Sequence, residues 1–131
     1  MNFIKVENYS LKKHNTLRIN AIAKYVFFPL NNEGLKEIYQ NYSSKKIVIL
    51  GNGSNILLSK DYYDEDYVFI SFKFMNDIEL FDSYIFCEAG ASLSEVSWFA
   101  LENGYKGFEF LEDVPGSIGG AVIMNAGTYN D

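Results

Sequence analysis

Four aliphatic residues, Ile47-Val48-Ile49-Leu50, pass directly into Gly51-Asn52-Gly53-Ser54-Asn55. A short continuous apolar run reads as a strand buried on both faces. A strand that ends in glycines delivers several backbone amides to one place. Gly51 and Gly53 lack a Cβ, so the backbone can take positive φ and let a diphosphate approach its N–H groups, while Ser54 and Asn55 add side-chain donors. The pattern is not the dinucleotide fingerprint Gly-x-Gly-x-x-Gly, because Ile56 stands at the third glycine, and no Gly-Lys-Ser/Thr follows to make a P-loop. On these residues alone, a tight turn between strands is an equally good account.

The flanking elements extend the frame. Ala23 to Pro29 has the aromatic and β-branched bias of a strand closed by proline. Asn31-Asn32 can cap a helix whose apolar face is Leu35, Ile38, Tyr39 and Tyr42. Strand character resumes at Tyr67 to Ser71, after an acidic, tyrosine-rich stretch from Asp61 to Asp66 that reads as a solvated loop. Exposed tyrosines in that loop are a simpler reading of Tyr62, Tyr63 and Tyr67 than stacking on an adenine. Ile78 to Phe81 and Tyr84 to Ala89 form a hairpin turned by Asp82-Ser83. Ser92-Leu93-Ser94-Glu95 has capping-box spacing, so a helix starts there and ends at Asn103-Gly104, with Leu93, Val96, Phe99, Ala100 and Leu101 packing on a sheet. These elements predict an α+β fold in two small lobes, residues 1–75 and 76–131.

A second glycine cluster makes the later lobe unusual. Five of the ten glycines fall between Gly107 and Gly127, among large apolar residues that otherwise argue for a packed segment. Pro115-Gly116 is a turn pair, and Gly119-Gly120-Ala121 leaves one face of the chain nearly bare, which suits a flat aromatic ring lying against backbone. The competing account is a close crossing of two backbones inside the lobe.

Composition removes several function classes. A net charge of −6 with 11 scattered Lys+Arg leaves no basic surface for nucleic acid. No apolar run approaches the roughly 18 to 20 residues that cross a bilayer, and the first residues lack the order of a signal peptide, so a cytoplasmic location without membrane contact is expected. Cys87 sits in an apolar run with no disulfide partner in the chain and is expected to pack in the core. His14 reads as a solvated side chain, and neither it nor the acidic run Asp61-Asp64-Glu65-Asp66 has metal-ligand spacing, so no metal site is expected.

Taken together and in this order, the motifs resemble the UDP-N-acetylenolpyruvoylglucosamine reductase family. They stand as Leu50-Gly51-Asn52-Gly53-Ser54-Asn55-Ile56-Leu57, Gly107-Phe108-Glu109, Val114-Pro115-Gly116-Ser117-Ile118-Gly119-Gly120-Ala121 and Met124-Asn125-Ala126-Gly127-Thr128-Tyr129. Asn15-Thr16-Leu17-Arg18-Ile19 followed by Ala23 is similar to the family's opening, with Asn20-Ala21 where relatives have two glycines. Glu112-Asp113 replaces small residues and is expected to point to solvent. The resemblance implies an FAD-binding fold of the vanillyl-alcohol-oxidase (PCMH) type, with the second lobe incomplete and a substrate-binding domain absent. It implies that Gly51, Asn52, Gly53, Ser54 and Asn55 hold the FAD diphosphate. Pro115, Gly116, Ser117, Gly119, Gly120, Ala121, Asn125, Ala126 and Gly127 would line the ring and ribityl portion.

The implied activity is that of a UDP-N-acetylmuramate dehydrogenase of peptidoglycan synthesis. Hydride passes from NADPH through FAD to the enolpyruvyl double bond of a UDP-sugar substrate. The family's catalytic serine, arginine and glutamate belong to segments beyond the Asn-Ala-Gly motif, so no catalytic residue is assigned here and a monomeric, inactive FAD-binding fragment is expected. Another flavin oxidoreductase of the same fold, or a non-catalytic flavin- or nucleotide-binding module, are the alternatives.

Overall fold

The computed structural model describes residues 1–14, 17–51 and 58–124, without the side chains of His14, Asp113 and Met124. The chain divides into two compact units, Met1–Phe74 and Met75–Asp131.

The first unit is built on a mixed sheet. Strands β1 (Phe3–Ser10), β2 (Ile22–Pro29), β3 (Lys46–Leu50), β4 (Tyr62–Tyr63) and β5 (Tyr67–Ser71) pair in the order β1-β2-β5-β3, with β4 beside β2. β1 runs antiparallel to β2, whereas β4 and β5 run parallel to β2, and β3 runs parallel to β5. A parallel return needs a crossover, and helix α1 (Asn32–Asn41) supplies it between β2 and β3. Asn31 caps that helix by accepting the Gly34 amide at 2.9 Å, and Ile38 is its fully buried anchor.

Period-two alternation sends neighbouring side chains to opposite faces, and each face has its own cluster. Phe27, Val68 and Ile70 meet Ile38 on the helix side, with Phe3, Leu35 and Tyr42 packed around them. Val26, Phe28, Leu50 and Phe69 meet Leu11, Ala21, Leu58 and Tyr63 on the other side. Phe27 is fully buried, with the ring of Tyr42 at 4.8 Å and that of Phe3 edge-on at 5.5 Å. Burial of such a ring contributes about 1.5–3 kcal/mol.

Three expectations need correction here. β3 is an edge strand rather than one buried on both faces, since Ile49 is 48% exposed while Leu50 is 1% exposed. The tyrosine-rich stretch is not wholly a solvated loop. Tyr62–Tyr63 forms β4, and Tyr63 is buried edge-on against both Tyr67 and Phe69, at 5.1 Å from each. β1 was not foreseen, because its inward residues Phe3, Val6 and Tyr9 recur every third position. Val6 and Tyr9 both reach the second cluster, and Asn8 between them has φ +52°, a left-handed turn that asparagine tolerates.

In the second unit, β6 (Ile78–Leu80) and β7 (Ile85–Cys87) form the expected antiparallel hairpin. Phe81 and Tyr84 stack across its turn at 5.0 Å. Helix α2 (Leu93–Glu102) is capped by Ser92, whose Oγ accepts the Glu95 amide at 3.0 Å. It ends at Gly104 with φ +79°, the left-handed cap that glycine allows. Leu93, Val96 and Ala100 are buried as expected, but Leu101 is 58% exposed and Ser97 takes a place on the inner face. A 3-10 turn at Glu109–Asp113 leads to the short helix α3 (Ile118–Met124).

Gly34 is where the start of the chain meets α1. A Cβ there would collide with the Asn2 carbonyl, an oxygen already accepting the Leu30 amide at 2.9 Å. Asn2 Nδ2 also donates to Glu37 at 2.9 Å. An unconstrained helix gains up to about 1 kcal/mol from Gly→Ala, but Gly34→Ala is expected to lose about 1–3 kcal/mol through overpacking. Urea denaturation measures this. A midpoint equal to or above that of the parent would show that Asn2 does not lie over the helix.

Candidate functional site

Each unit contributes one part of the residue set that the motifs single out. In the first, parallel pairing sends the carboxyl ends of β2, β3 and β5 to the same edge of the sheet, where open α/β sheets place their ligands. Gly51 follows β3 directly and is exposed. Asn52, Gly53, Ser54 and Asn55 lie outside the described residues, as do Asn125, Ala126 and Gly127.

In the second unit, Gly116 to Gly119 run against Ala89 to Leu93. The Leu93 amide donates to the Gly116 carbonyl at 3.1 Å, Ile118 to Ala91 at 2.9 Å and Gly119 to Ala89 at 2.9 Å. Ser92 and Ser117 face each other across this antiparallel bridge. Gly116 holds φ +124°, a conformation that favours glycine.

The two adjacent glycines prove to have different jobs. A Cβ on Gly119 would stand 3.0 Å from the Ala89 Cβ and 3.2 Å from its carbonyl oxygen, so the backbone crossing explains this glycine. Outside its own helix backbone, a Cβ on Gly120 would meet, among the described residues, the Ser117 Oγ at 3.4 Å and nothing else within 4 Å. Gly120 is exposed, and its amide donates to that Oγ at 3.3 Å. Pro115 is exposed, while Ser117 and Ala121 are half-buried. The amides of Gly116 and Ser117 donate to no acceptor among the described residues. Bare backbone whose N–H groups have no acceptor among the described residues fits a flavin, whose ring edge and phosphates are rich in acceptors.

Neighbouring motif residues have local explanations. Glu109 Oε2 accepts the Gly107 amide at 3.0 Å, and Gly107 has φ +98°, so the Gly-x-Glu spacing closes a small loop. Glu112 is exposed, as expected, and the side chain of Asp113 lies outside the described residues. Cys87 is half-buried, and burial raises its thiol above the usual 9.0. Ala89 and Ala91 were not singled out from sequence. Their signal was the small-residue run Ala89-Gly90-Ala91 just ahead of the capping box.

A cavity of about 360 Å³ opens away from the Gly51 edge, at the amino ends of β3 and β5, where Lys46 pairs with Tyr67. Lys45, Lys46 and Lys60 share it with Asp64 and Asp66, so it is polar and nearly balanced in charge. Lys60 Nζ lies 4.7 Å from the centre of the Tyr67 ring and Lys46 Nζ 5.4 Å from it. The approach of the Lys60 ammonium to the Tyr67 hydroxyl raises the lysine above 10.5 and lowers the phenol below 10.0, with the charge of Lys46 adding to the latter. Among the described residues, no group of three or more His, Cys, Asp or Glu side chains could hold a metal ion, and no helix is long and apolar enough to cross a membrane.

Residues 23–131 match the family model described as an FAD binding domain. A UDP-N-acetylenolpyruvoylglucosamine reductase of Francisella tularensis is 43% identical over 125 residues, covering 95% of this chain and 44% of that protein. The reductase of the same name from Fusobacterium nucleatum is 35% identical over 93% of this chain and 43% of its own length. The chain thus spans less than half the length of these relatives. The crystal structure of UDP-N-acetylenolpyruvylglucosamine reductase from Thermus caldophilus superposes with a TM-score of 0.70 at 30% identity, over 99% of this chain and 44% of that one. CrmK, a flavoenzyme involved in caerulomycin biosynthesis, shares the fold at 16% identity and a TM-score of 0.60.

The Lys60–Tyr67 pair makes a prediction about alkaline pH. A raised lysine contributes its stabilisation below its ordinary value and loses it as pH rises through the folded value. A lowered phenol contributes only once it ionises. Tyr67 is therefore expected to ionise below the usual phenol value of 10.0 in an ultraviolet titration, and Lys60→Met is expected to move that step upward. Superimposable titrations of the two proteins would refute the pairing.

Proposed function

We propose for this chain, which belongs to the family of FAD-binding domains, the role of the flavin-holding part of a UDP-N-acetylenolpyruvoylglucosamine reductase. The observation that carries this reading is the open backbone of Gly116, Ser117 and Gly120, with two amides that have no acceptor among the described residues and one Cβ position that meets only the Ser117 Oγ there. It stands inside a motif that resembles the reductases' own, in a chain similar to two of them over more than nine-tenths of its length.

In this reading Gly51 and the following residues 52–55 take the diphosphate. The turn Pro115-Gly116-Ser117 supplies amide donors, and Gly120 and Ala121 give a flat face for the ring. Residues 125–127 complete the ring and ribityl contacts. FAD would supply hydride transfer from NADPH to an enolpyruvyl UDP-sugar, giving UDP-N-acetylmuramate for peptidoglycan and so for cell-wall growth, shape and division. What this chain's own residues do is bind and orient. Its donors are neutral amides and hydroxyls, so they hold an anionic cofactor without a competing cation. The protein would work in the cytoplasm as a monomer whose catalytic side chains belong to segments of the kind that make up the rest of the relatives' length.

Absorbance after mixing with FAD and removing the excess tests the reading. Retained flavin bands near ~450 nm at one flavin per chain are expected; a folded chain that retains none overturns it. Gly53→Val is expected to abolish retention. Gly120→Leu separates a ligand face from a structural one. Leucine is the better helix former by about 0.8 kcal/mol and its Cβ meets only the Ser117 Oγ among the described residues, so the free protein is expected to hold its thermal midpoint while losing flavin.

A further inference from the structure

We infer that Ala89 is a positioning residue for the flavin: only a side chain no larger than its methyl group lets the Pro115–Ala121 segment lie at hydrogen-bonding distance from the Ala89–Leu93 turn beside it. The inference rests on the flavin reading above and adds a residue outside the motifs.

Ala89 is held from two sides. Towards the hairpin, the amides of its neighbours Glu88 and Gly90 donate to the carbonyls of Asp77 at 2.9 Å and Met75 at 2.8 Å. Asp77 in turn donates its amide to the Glu88 side chain at 3.0 Å, and Met75 is 6% exposed. Towards the glycine segment, the Ala89 carbonyl accepts the Gly119 amide, and the Ala89 Cβ faces the bare Cα of Gly119. The turn then closes through Ala91 to Glu88 at 3.0 Å and passes into the Ser92 cap of α2.

Ala89 therefore cannot retreat when its side chain grows, because both flanking residues are bonded to the chain behind it. The segment in front is bonded through residues 116, 118 and 119 and gives way as a unit. Next to Gly119 stand Gly120, with its open face, and the amides of Gly116 and Ser117, which have no acceptor among the described residues. A displacement that leaves the core of α2 intact thus moves the atoms offered to the ligand. Core packing alone does not predict that coupling.

The test compares Ala89→Val, Ala89→Gly and Val96→Ala in the full chain. Val96 is 3% exposed in α2 and serves as a matched loss of stability. FAD affinity is measured by flavin fluorescence quenching, thermal midpoint by circular dichroism, and protection of the Ile118 and Gly119 amides by hydrogen exchange. Ala89→Val is expected to weaken FAD binding about tenfold or more, the affinity equivalent of overpacking strain expressed at the ligand face, and to deprotect those two amides. Ala89→Gly keeps the crossing open and is expected to bind within about twofold of the parent, as is Val96→Ala despite its lower midpoint.

Folded Ala89→Val with parental affinity overturns the inference. So does affinity that falls equally in Val96→Ala, since that marks a stability effect. Unprotected Ile118 and Gly119 amides in the parent overturn the crossing itself. Protected amides in a parent that binds no FAD show that the crossing exists while the flavin reading fails, and the positioning role falls with it.

Discussion

Parallel pairing among β2, β5 and β3 is the constraint on which the first unit depends. Antiparallel strands alternate their ends, whereas these three bring their carboxyl ends to one edge, and β3 passes from there into Gly51. The pairing also demands a crossover, which makes α1 obligatory and places Ile38 over Phe27, Val68 and Ile70. The opposite face must then be covered by the remaining segments. Leu11, Ala21, Leu58 and Tyr63 do this, although none of them belongs to the strand–helix–strand frame.

Backbone proximity takes the corresponding role in the second unit. Its hairpin is short and two-stranded, a form with little stability of its own, and α3 has seven residues. Hydrogen bonds along 75–77, 88–93 and 116–119 join these weak elements into one layer. Such close spacing requires small residues at the contact, and Ala89 opposite Gly119 meets that requirement. Once the layer is set, the amides of Gly116 and Ser117 have no acceptor among the described residues. The order that stabilises the lobe is the same order that leaves the donors on which the proposed flavin site rests.

The two glycine accounts weighed from sequence, a bare face for a flat ring and a close crossing of backbones, prove to be compatible. Gly119 serves the crossing, while Gly120 leaves the open backbone that the proposed ring face would use. A single residue's composition could not separate them, because both uses need the absence of a Cβ. The difference lies in which way that Cβ would point, and this follows from the helical turn between consecutive residues.

Local chemistry determined much of this protein in its sequence alone. The Asn31 and Ser92 caps, the stop at Gly104, the hairpin around Asp82-Ser83 and the strands at Ile22–Pro29 and Tyr67–Ser71 all follow from short-range rules acting within a few residues. The glycine motifs likewise placed the chain in its family. Tertiary structure decided what those rules cannot reach. It made β3 an edge strand, because strand order depends on partners distant in the chain. It buried Tyr63 inside an acidic stretch, because β4 pairs with Ile22-Ala23 some forty positions earlier. It drew β1 from a three-residue periodicity that matches no regular element, because Asn8 turns left-handed between Val6 and Tyr9. And it set Ala89 against Gly119, a contact whose meaning exists only where two segments thirty residues apart share the same few ångströms.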